Sequence, residues 1–405
     1  LLSKHGLPIV QAGVEYLRHD RVLHGIRAHG RMLFEQQQYL RQGRAQFAGK
    51  RVLWLLPVRE SGGGGSVAVM KARLMQRMGL HVEVFNLMEN CAGFERGYPN
   101  FDLPITFGEP DDLMNYAPQF DAVIATAFLS AGWLAPIAAR FPQVTLGYFI
   151  QDFEPYFFPP DAKGYQTAWQ SYALIPSMIR FATTEWIRQE VIRNTGATCG
   201  LCGPCFDANL FRPRPLLQPT APGQPVRIAA MVRPESWHRA PRLTMEVLRD
   251  IAQHYGDRVE IILFGTTMDD PGFTQLPRDF NWRLAGRLNQ QQMARLLNEV
   301  DIFADFSSYQ ALGITAQEAM ACGAAIIVPQ RGGTSAYARD GINCLVVNSA
   351  SRRACRTALT HLIEDAALRT RLQTQAIDDA CAFYPEKPTF NILTALFGTP
   401  KAEAA

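Results

Sequence analysis

Nowhere in this chain do apolar residues run on for the roughly 18 positions that a membrane-spanning helix needs. The N-terminus also lacks the basic, apolar and small-residue order of a secretory leader. Charge of either sign is not in excess: 40 Lys and Arg face 37 Asp and Glu, a formal net charge of +3, and the two signs are interspersed. That pattern gives no basic stripe, so a nucleic-acid partner is not expected. The eight cysteines fall into no disulfide framework. Cys199, Cys202 and Cys205 have the spacing of metal or cluster ligands, but no fourth thiolate or histidine lies close in sequence. The run reads instead as a strand and turn in a reducing compartment. A DxD-like loop for a divalent ion is missing too, since Asp111-Asp112 and Asp269-Asp270 read as ordinary turn acids. No metal and no cofactor are therefore expected. The expected location is the cytoplasm, with the inner face of the plasma membrane as the alternative for the basic N-terminal helices. The chain begins with Leu1 rather than Met, which leaves open a longer polypeptide.

What the chain does have is length and alternation. At 405 residues, 47% of them hydrophobic, it exceeds one ordinary core, and two domains are expected. Residues 1–48 carry helical spacing and form a helical extension. From 49 to 215, apolar strand runs such as Val52 to Pro57, Val82 to Asn86, Ala122 to Thr126 and Thr145 to Ile150 alternate with helical segments. Such alternation predicts a doubly wound parallel α/β sheet. A proline-rich connector at 216–225 precedes a second series over 226–383, with strands Val226 to Val232, Val259 to Phe264 and Ile302 to Asp305. One helical region is predicted over Ser351 to Phe383. A C-terminal helix and tail, 384–405, is expected to pack back on the first domain.

Two stretches carry chemistry. Ser61-Gly-Gly-Gly-Gly-Ser66 follows the first strand and precedes a helix expected from Val67 to Met78. A loop there brings backbone N–H groups of Gly63 and Gly64 toward an anion or a polar sugar. In the second stretch, Asp305 to Val346, Glu318 sits in an otherwise apolar helix predicted from Ala316 to Ala325. A carboxylate in that place either faces solvent or holds hydroxyl donors. The strand Ala324 to Val328 comes next, and then Gly332, Gly333 and Thr334 at the edge where α/β sheets bind ligands.

Gln310 to Glu318 followed by Ala319-Met-Ala-Cys-Gly323 resembles the E-x7-E and A-M-A-x-G motifs of retaining GT-B glycosyltransferases of family 4, with the first acid replaced by glutamine. A further block, Gly147-Tyr-Phe-Ile-Gln-Asp-Phe-Glu-Pro-Tyr-Phe-Phe-Pro159 with Thr184-Glu-Trp186 downstream, is similar to WsaF-type rhamnosyltransferases of bacterial surface polysaccharide and O-antigen assembly. The resemblance implies a GT-B architecture, two Rossmann-like domains facing a cleft. It implies a nucleotide-sugar donor, dTDP-L-rhamnose, and a glycan acceptor in a polysaccharide-assembly setting.

The resemblance also implies roles. Glu318 binds the ribose hydroxyls, Gln310 contacts the donor sugar or phosphates, and Arg233 and Arg239 clamp the diphosphate, as guanidinium forks suit phosphate oxygens. Amides of Gly332, Gly333 and Thr334 meet the distal phosphate or the sugar. Asp152 and Glu154 are the catalytic candidates, orienting the acceptor hydroxyl or stabilising positive charge at the anomeric carbon. The glutamine at 310 supports an alternative, a catalytically degenerate module that binds glycan or serves as a scaffold in a larger polymerase.

Overall fold

A computed structural model describes residues 29–60, 62–214 and 223–398. Most of the expected N-terminal extension, much of the proline-rich connector and the last seven residues lie outside the described residues. Contacts divide the described residues into two units, one of residues 33–205 and 384–398, the other of 206–383 with 29–32.

The first unit is built on seven parallel strands. These are β1 (Arg51–Leu55), β2 (His81–Leu87), β3 (Ile105–Gly108), β4 (Ala122–Ala125), β5 (Thr145–Ile150), β6 (Ile179–Ala182) and β7 (Gly200–Leu201), in the spatial order β3-β2-β1-β4-β5-β6-β7. Val52, Leu53, Trp54 and Leu55 are all buried, which is why β1 reads as an unbroken apolar run: a central parallel strand is covered on both faces. The helix Glu185–Thr195 starts where the Thr184 hydroxyl accepts from Ile187 N–H and stops at left-handed Gly196. The C-terminal helix Glu386–Phe397 lies in this unit, where Phe390 packs at an angle against Tyr39 and edge-on against Phe47.

The second unit holds β8 (Val226–Met231), β9 (Val259–Phe264), β10 (Arg283–Leu284), β11 (Ile302–Ala304), β12 (Ala325–Pro329) and β13 (Leu345–Val347), again all parallel, in the order β10-β9-β8-β11-β12-β13. In each sheet the winding reverses once, between β1 and β4 and between β8 and β11. At such switch points the loops after neighbouring strands splay apart and leave a crevice for ligands.

Several expectations shift. The chain passes into the second unit at Phe206 rather than at 216, because Phe206, Ala208 and Phe211 are buried there and Phe206 N–H donates to Phe383 O at 3.3 Å. The helix predicted over 351–383 is two, Arg352–Glu364 and Ala366–Ala380, because extended Asp365 caps the second by accepting from Leu368 N–H. The helix predicted from Ala316 to Ala325 runs from Ile314 to Cys322 and ends at Gly323, whose φ is +87°. The glycine run is not a loop. Gly62 is the cap residue, and Gly63, Gly64 and Gly65 form the first turn of the helix Gly63–Arg77. The N–H groups of a helical first turn lack intrahelical partners, so these glycines still present donors without side chains over them.

Candidate functional site

In the second unit the loops after β8, β11 and β12 meet at one sheet edge. Arg233 follows β8, and burial, then the charges of Arg239 and Arg287, lower its pKa against the opposing effect of Glu235. His238, in the same loop, is pushed down to about 4 by burial and then by Arg239 and Arg233. It is therefore an uncharged imidazole at neutral pH. Its ring stacks on Tyr309 at 5.2 Å, Arg331 lies over that same Tyr309 ring at 5.8 Å from its centroid, and Ser308 N–H donates to His238 O at 2.7 Å. The loops after β8 and β11 are thus tied together around a concentration of guanidinium groups. Positive groups held close against their own repulsion suit a polyanion such as a diphosphate.

Gln310 is buried, and its Nε2 donates to Asp305 Oδ2 at 2.5 Å and to Ser307 Oγ at 3.2 Å. Its backbone pairs with Gly332 in an isolated parallel bridge. Gly333 N–H donates to Gln310 O at 2.7 Å, which corrects the expectation that this amide is open to a phosphate or sugar. Thr334 is buried and its hydroxyl donates to Pro329 O at 2.9 Å, so that side chain secures the loop.

Glu318, on the helix Ile314–Cys322, is 7% exposed and takes no hydrogen bond among the described residues. Burial and the nearby charge of Asp207 raise its pKa to about 8. A buried carboxyl with unmet hydrogen-bonding capacity is costly unless a ligand completes it.

In the first unit, a Cβ on Gly64 would stand 3.3 Å from Gln151 Nε2, so the helix start after β1 faces the aromatic and acidic block after β5. Asp152 Oδ1 accepts from Phe153 N–H at 2.8 Å. Glu154 is buried, and its Oε2 accepts from Phe128 N–H at 2.6 Å and from the Tyr148 hydroxyl at 3.0 Å. Burial raises its pKa to about 8 despite those two donors, with the charge of Asp152 adding to the rise. Phe157 is exposed, whereas Tyr156 donates to Glu190 at 2.6 Å.

Cys199, Cys202 and Cys205 are all buried. Cys205 Sγ accepts from the Nζ of Lys71, itself fully buried, at 3.3 Å. Among the described residues no group of three or more His, Cys, Asp or Glu is placed to hold a metal ion. Nor is any helix there long and apolar enough to cross a membrane.

Arg287, Tyr309 and Asp305 belong to the site and were not singled out in the sequence. The signal available for Arg287 was its place just after β10 and Gly286. For Asp305 it was an acid at the end of a buried strand, five residues before the glutamine that replaces one.

Residues 279–379 match the family described as glycosyl transferases group 1. Over 101 residues, 25% of this chain and 22% of the relative, the sequence is 30% identical to a D-inositol 3-phosphate glycosyltransferase of Nocardioides sp. (strain ATCC BAA-499 / JS614). The match thus spans about a fifth of that protein. Among solved structures, Anabaena HepE in complex with UDP and glucose superposes with a TM-score of 0.70 at 16% identity, covering 86% of this chain and 99% of that one. Sucrose-phosphate synthase from Thermosynechococcus elongatus gives 0.65 at 14% identity, over 85% and 98%. The fold is GT-B, with two Rossmann-like sheets of seven and six strands.

Proposed function

We propose that this chain is a retaining glycosyltransferase that moves a hexosyl group from a nucleoside diphosphate sugar to a glycan acceptor. The observation that carries the reading is the presence, within one unit, of a guanidinium cluster at the switch point and of Glu318, a buried carboxyl whose side chain takes no hydrogen bond among the described residues. One suits a diphosphate and the other a ribose edge. The group 1 match over 279–379 supports it independently.

As the bond from the anomeric carbon to the phosphate oxygen breaks, charge builds on the departing diphosphate. Arg233, Arg239 and Arg287 are preorganised to meet that charge without reorganising at the moment of reaction. The acceptor oxygen attacks from the face that the leaving group vacates, and a phosphate oxygen takes the acceptor's proton. Asp152 orients the acceptor hydroxyl or steadies the positive charge at the anomeric carbon. Glu154 stands beside it in the same block and shares that role. Gly63 and Gly64 offer first-turn N–H groups to a polar or anionic part of the acceptor.

The finer reading is a rhamnosyl donor carried by dTDP, in surface polysaccharide assembly. It rests on the aromatic block Gly147 to Pro159 alone. A deoxyribose offers Glu318 one ring hydroxyl, a ribose two, so thermal-shift titration with dTDP, UDP and GDP separates the carriers. The activity itself is tested by nucleotide release from a panel of nucleotide sugars, with and without a glycan acceptor. Intact donors throughout would leave the degenerate, glycan-binding reading that Gln310 suggests. Arg233→Ala and Arg239→Ala are each expected to weaken nucleoside diphosphate binding about tenfold or more.

A further inference from the structure

We propose that Asp305 is a positioning residue that fixes Gln310 as a neutral hydrogen-bond acceptor for one hydroxyl of the donor's hexosyl group. The acid absent at 310 acts from 305. The proposal rests on the glycosyltransferase reading and adds to it a residue that neither the motif nor the fold singles out.

The amide of Gln310 has two chemically different ends, and the neighbours decide which faces where. A carboxylate only accepts hydrogen bonds, so the NH2 group must point at Asp305, 2.5 Å away. The Ser307 hydroxyl, 3.2 Å from the same nitrogen, donates to Asp305 Oδ1 at 2.5 Å and so presents its lone pairs to the amide. Ser307 N–H, at 3.0 Å from the same carboxylate oxygen, completes the ring. The nitrogen end of the amide is then committed to Asp305 and Ser307. Its carbonyl oxygen takes no hydrogen bond among the described residues, although Gln310 is only 5% exposed.

The main chain is equally fixed. Gln310 N–H donates to Arg331 O at 3.2 Å and its carbonyl accepts from Gly333 N–H at 2.7 Å. The oxygen is therefore held in place in the loop after β11, on the side of the sheet where the switch point lies. A sugar hydroxyl can donate to it without any side chain having to turn. Sugar hydroxyls are donors as well as acceptors, and a fixed neutral acceptor selects one of them by position.

The arrangement makes a prediction opposite to the one the motif invites. Glutamate at 310 would set two carboxylates at the 2.5 Å separation the pair now has, and like charges so close cannot both ionise. Gln310→Glu alone should therefore impair the site. Moving the charge, in Asp305→Asn with Gln310→Glu, returns one carboxylate and one amide to the pair and should restore it.

The test measures affinity by calorimetry for dTDP-L-rhamnose and UDP-glucose and for dTDP and UDP without the sugar, with thermal stability recorded for every variant. Wild type should bind at least one sugar nucleotide. Gln310→Glu and Asp305→Ala should each weaken that sugar nucleotide about tenfold, the scale of one hydrogen bond, and leave the bare diphosphate within about twofold. The double variant should recover most of the loss, and KM should move with it more than kcat. Equal weakening of sugar nucleotide and bare diphosphate, or no recovery in the double variant, overturns the role of Asp305. A gain of affinity in Gln310→Glu alone overturns it too. If wild type binds none of the four nucleotides, the glycosyltransferase reading fails and this proposal with it.

Discussion

A Cβ built on Gly332 would stand 2.0 Å from the carbonyl oxygen of Gln310, and the φ of Gly332 is +117°. The two backbones touch there because a glycine has nothing to keep them apart. Gly332→Ala must separate the bridge between them, and it also imposes a strained dihedral. The expected loss is about 3 kcal/mol or more of stability by urea unfolding, with nucleotide-sugar binding abolished. Gly341 provides the comparison: its φ is +67° but nothing lies within 4 Å of its built Cβ. Gly341→Ala should cost only about 1 kcal/mol, the backbone strain alone.

Glu318 should make the protein less stable as pH rises. Its carboxyl titrates at about 8 in the fold against an ordinary 4.5, so the unfolded chain gives up its proton first. The folded state has no deficit below about 4.5, loses stability progressively from there to about 8, and then levels off. Glu154, also raised to about 8 by burial, acts in the same direction. Glu318→Gln removes one of the two contributions. Melting temperatures measured across roughly pH 5 to pH 8 should therefore fall less in this variant than in the wild type. An identical pH dependence would show that the carboxyl is solvated.

His238 predicts the opposite slope on the acid side. Its folded pKa, about 4 against 6.5, means that the unfolded chain takes up a proton while the fold does not. Stability is then lost as pH falls from about 6.5 to about 4. A bound diphosphate would offset the charges of Arg239 and Arg233, which help to hold the imidazole neutral. Binding near pH 5 should accordingly be accompanied by proton uptake, read as a dependence of the binding enthalpy on the ionisation heat of the buffer. His238→Gln should remove that dependence.

The sequence makes the long central strands and the positions of Arg233, Arg239, Gln310 and Glu318 legible, because burial on both faces and motif spacing are local properties. The edge strands β3 and β13 escape it, whereas β7 falls within the Cys199 to Cys205 run that reads as a strand and turn. Gly200–Leu201 is two exposed residues, and only pairing with β6 makes them a strand. The glycine run reads as a loop because glycine is a poor helix former, yet the helix Gly63–Arg77 draws its stability from Val67, Ala68, Lys71 and Leu74, all buried. The commitment of the Gly333 amide to Gln310 depends on where two loops meet, and the link from Asp305 to Gln310 on how one loop folds back on itself. Composition and periodicity do not carry that information.

Ala240 is the one non-glycine with positive φ among the described residues, at φ 46° and ψ 52°. It lies directly between Arg239 and Pro241, the first residue of the helix Pro241–Tyr255. Three contacts hold it there: its N–H donates to Trp237 O at 3.0 Å, and its carbonyl accepts from Thr244 N–H at 3.0 Å and from the Thr244 hydroxyl at 3.1 Å. A side chain in this conformation costs about 1 kcal/mol, and the turn directly follows Arg239. Ala240→Gly relieves the strain but gives the unfolded chain more freedom, which returns part of the gain. The net expectation is a protein within about 0.5 kcal/mol of wild type whose loop is less ordered and whose nucleoside diphosphate affinity is lower. Ala240→Val keeps the strain and adds a branched Cβ, so it should destabilise by more than about 1 kcal/mol. Urea unfolding and calorimetric titration of the two variants together distinguish a turn that is strained to position Arg239 from one that is strained incidentally, because only the first loses affinity in Ala240→Gly while stability holds.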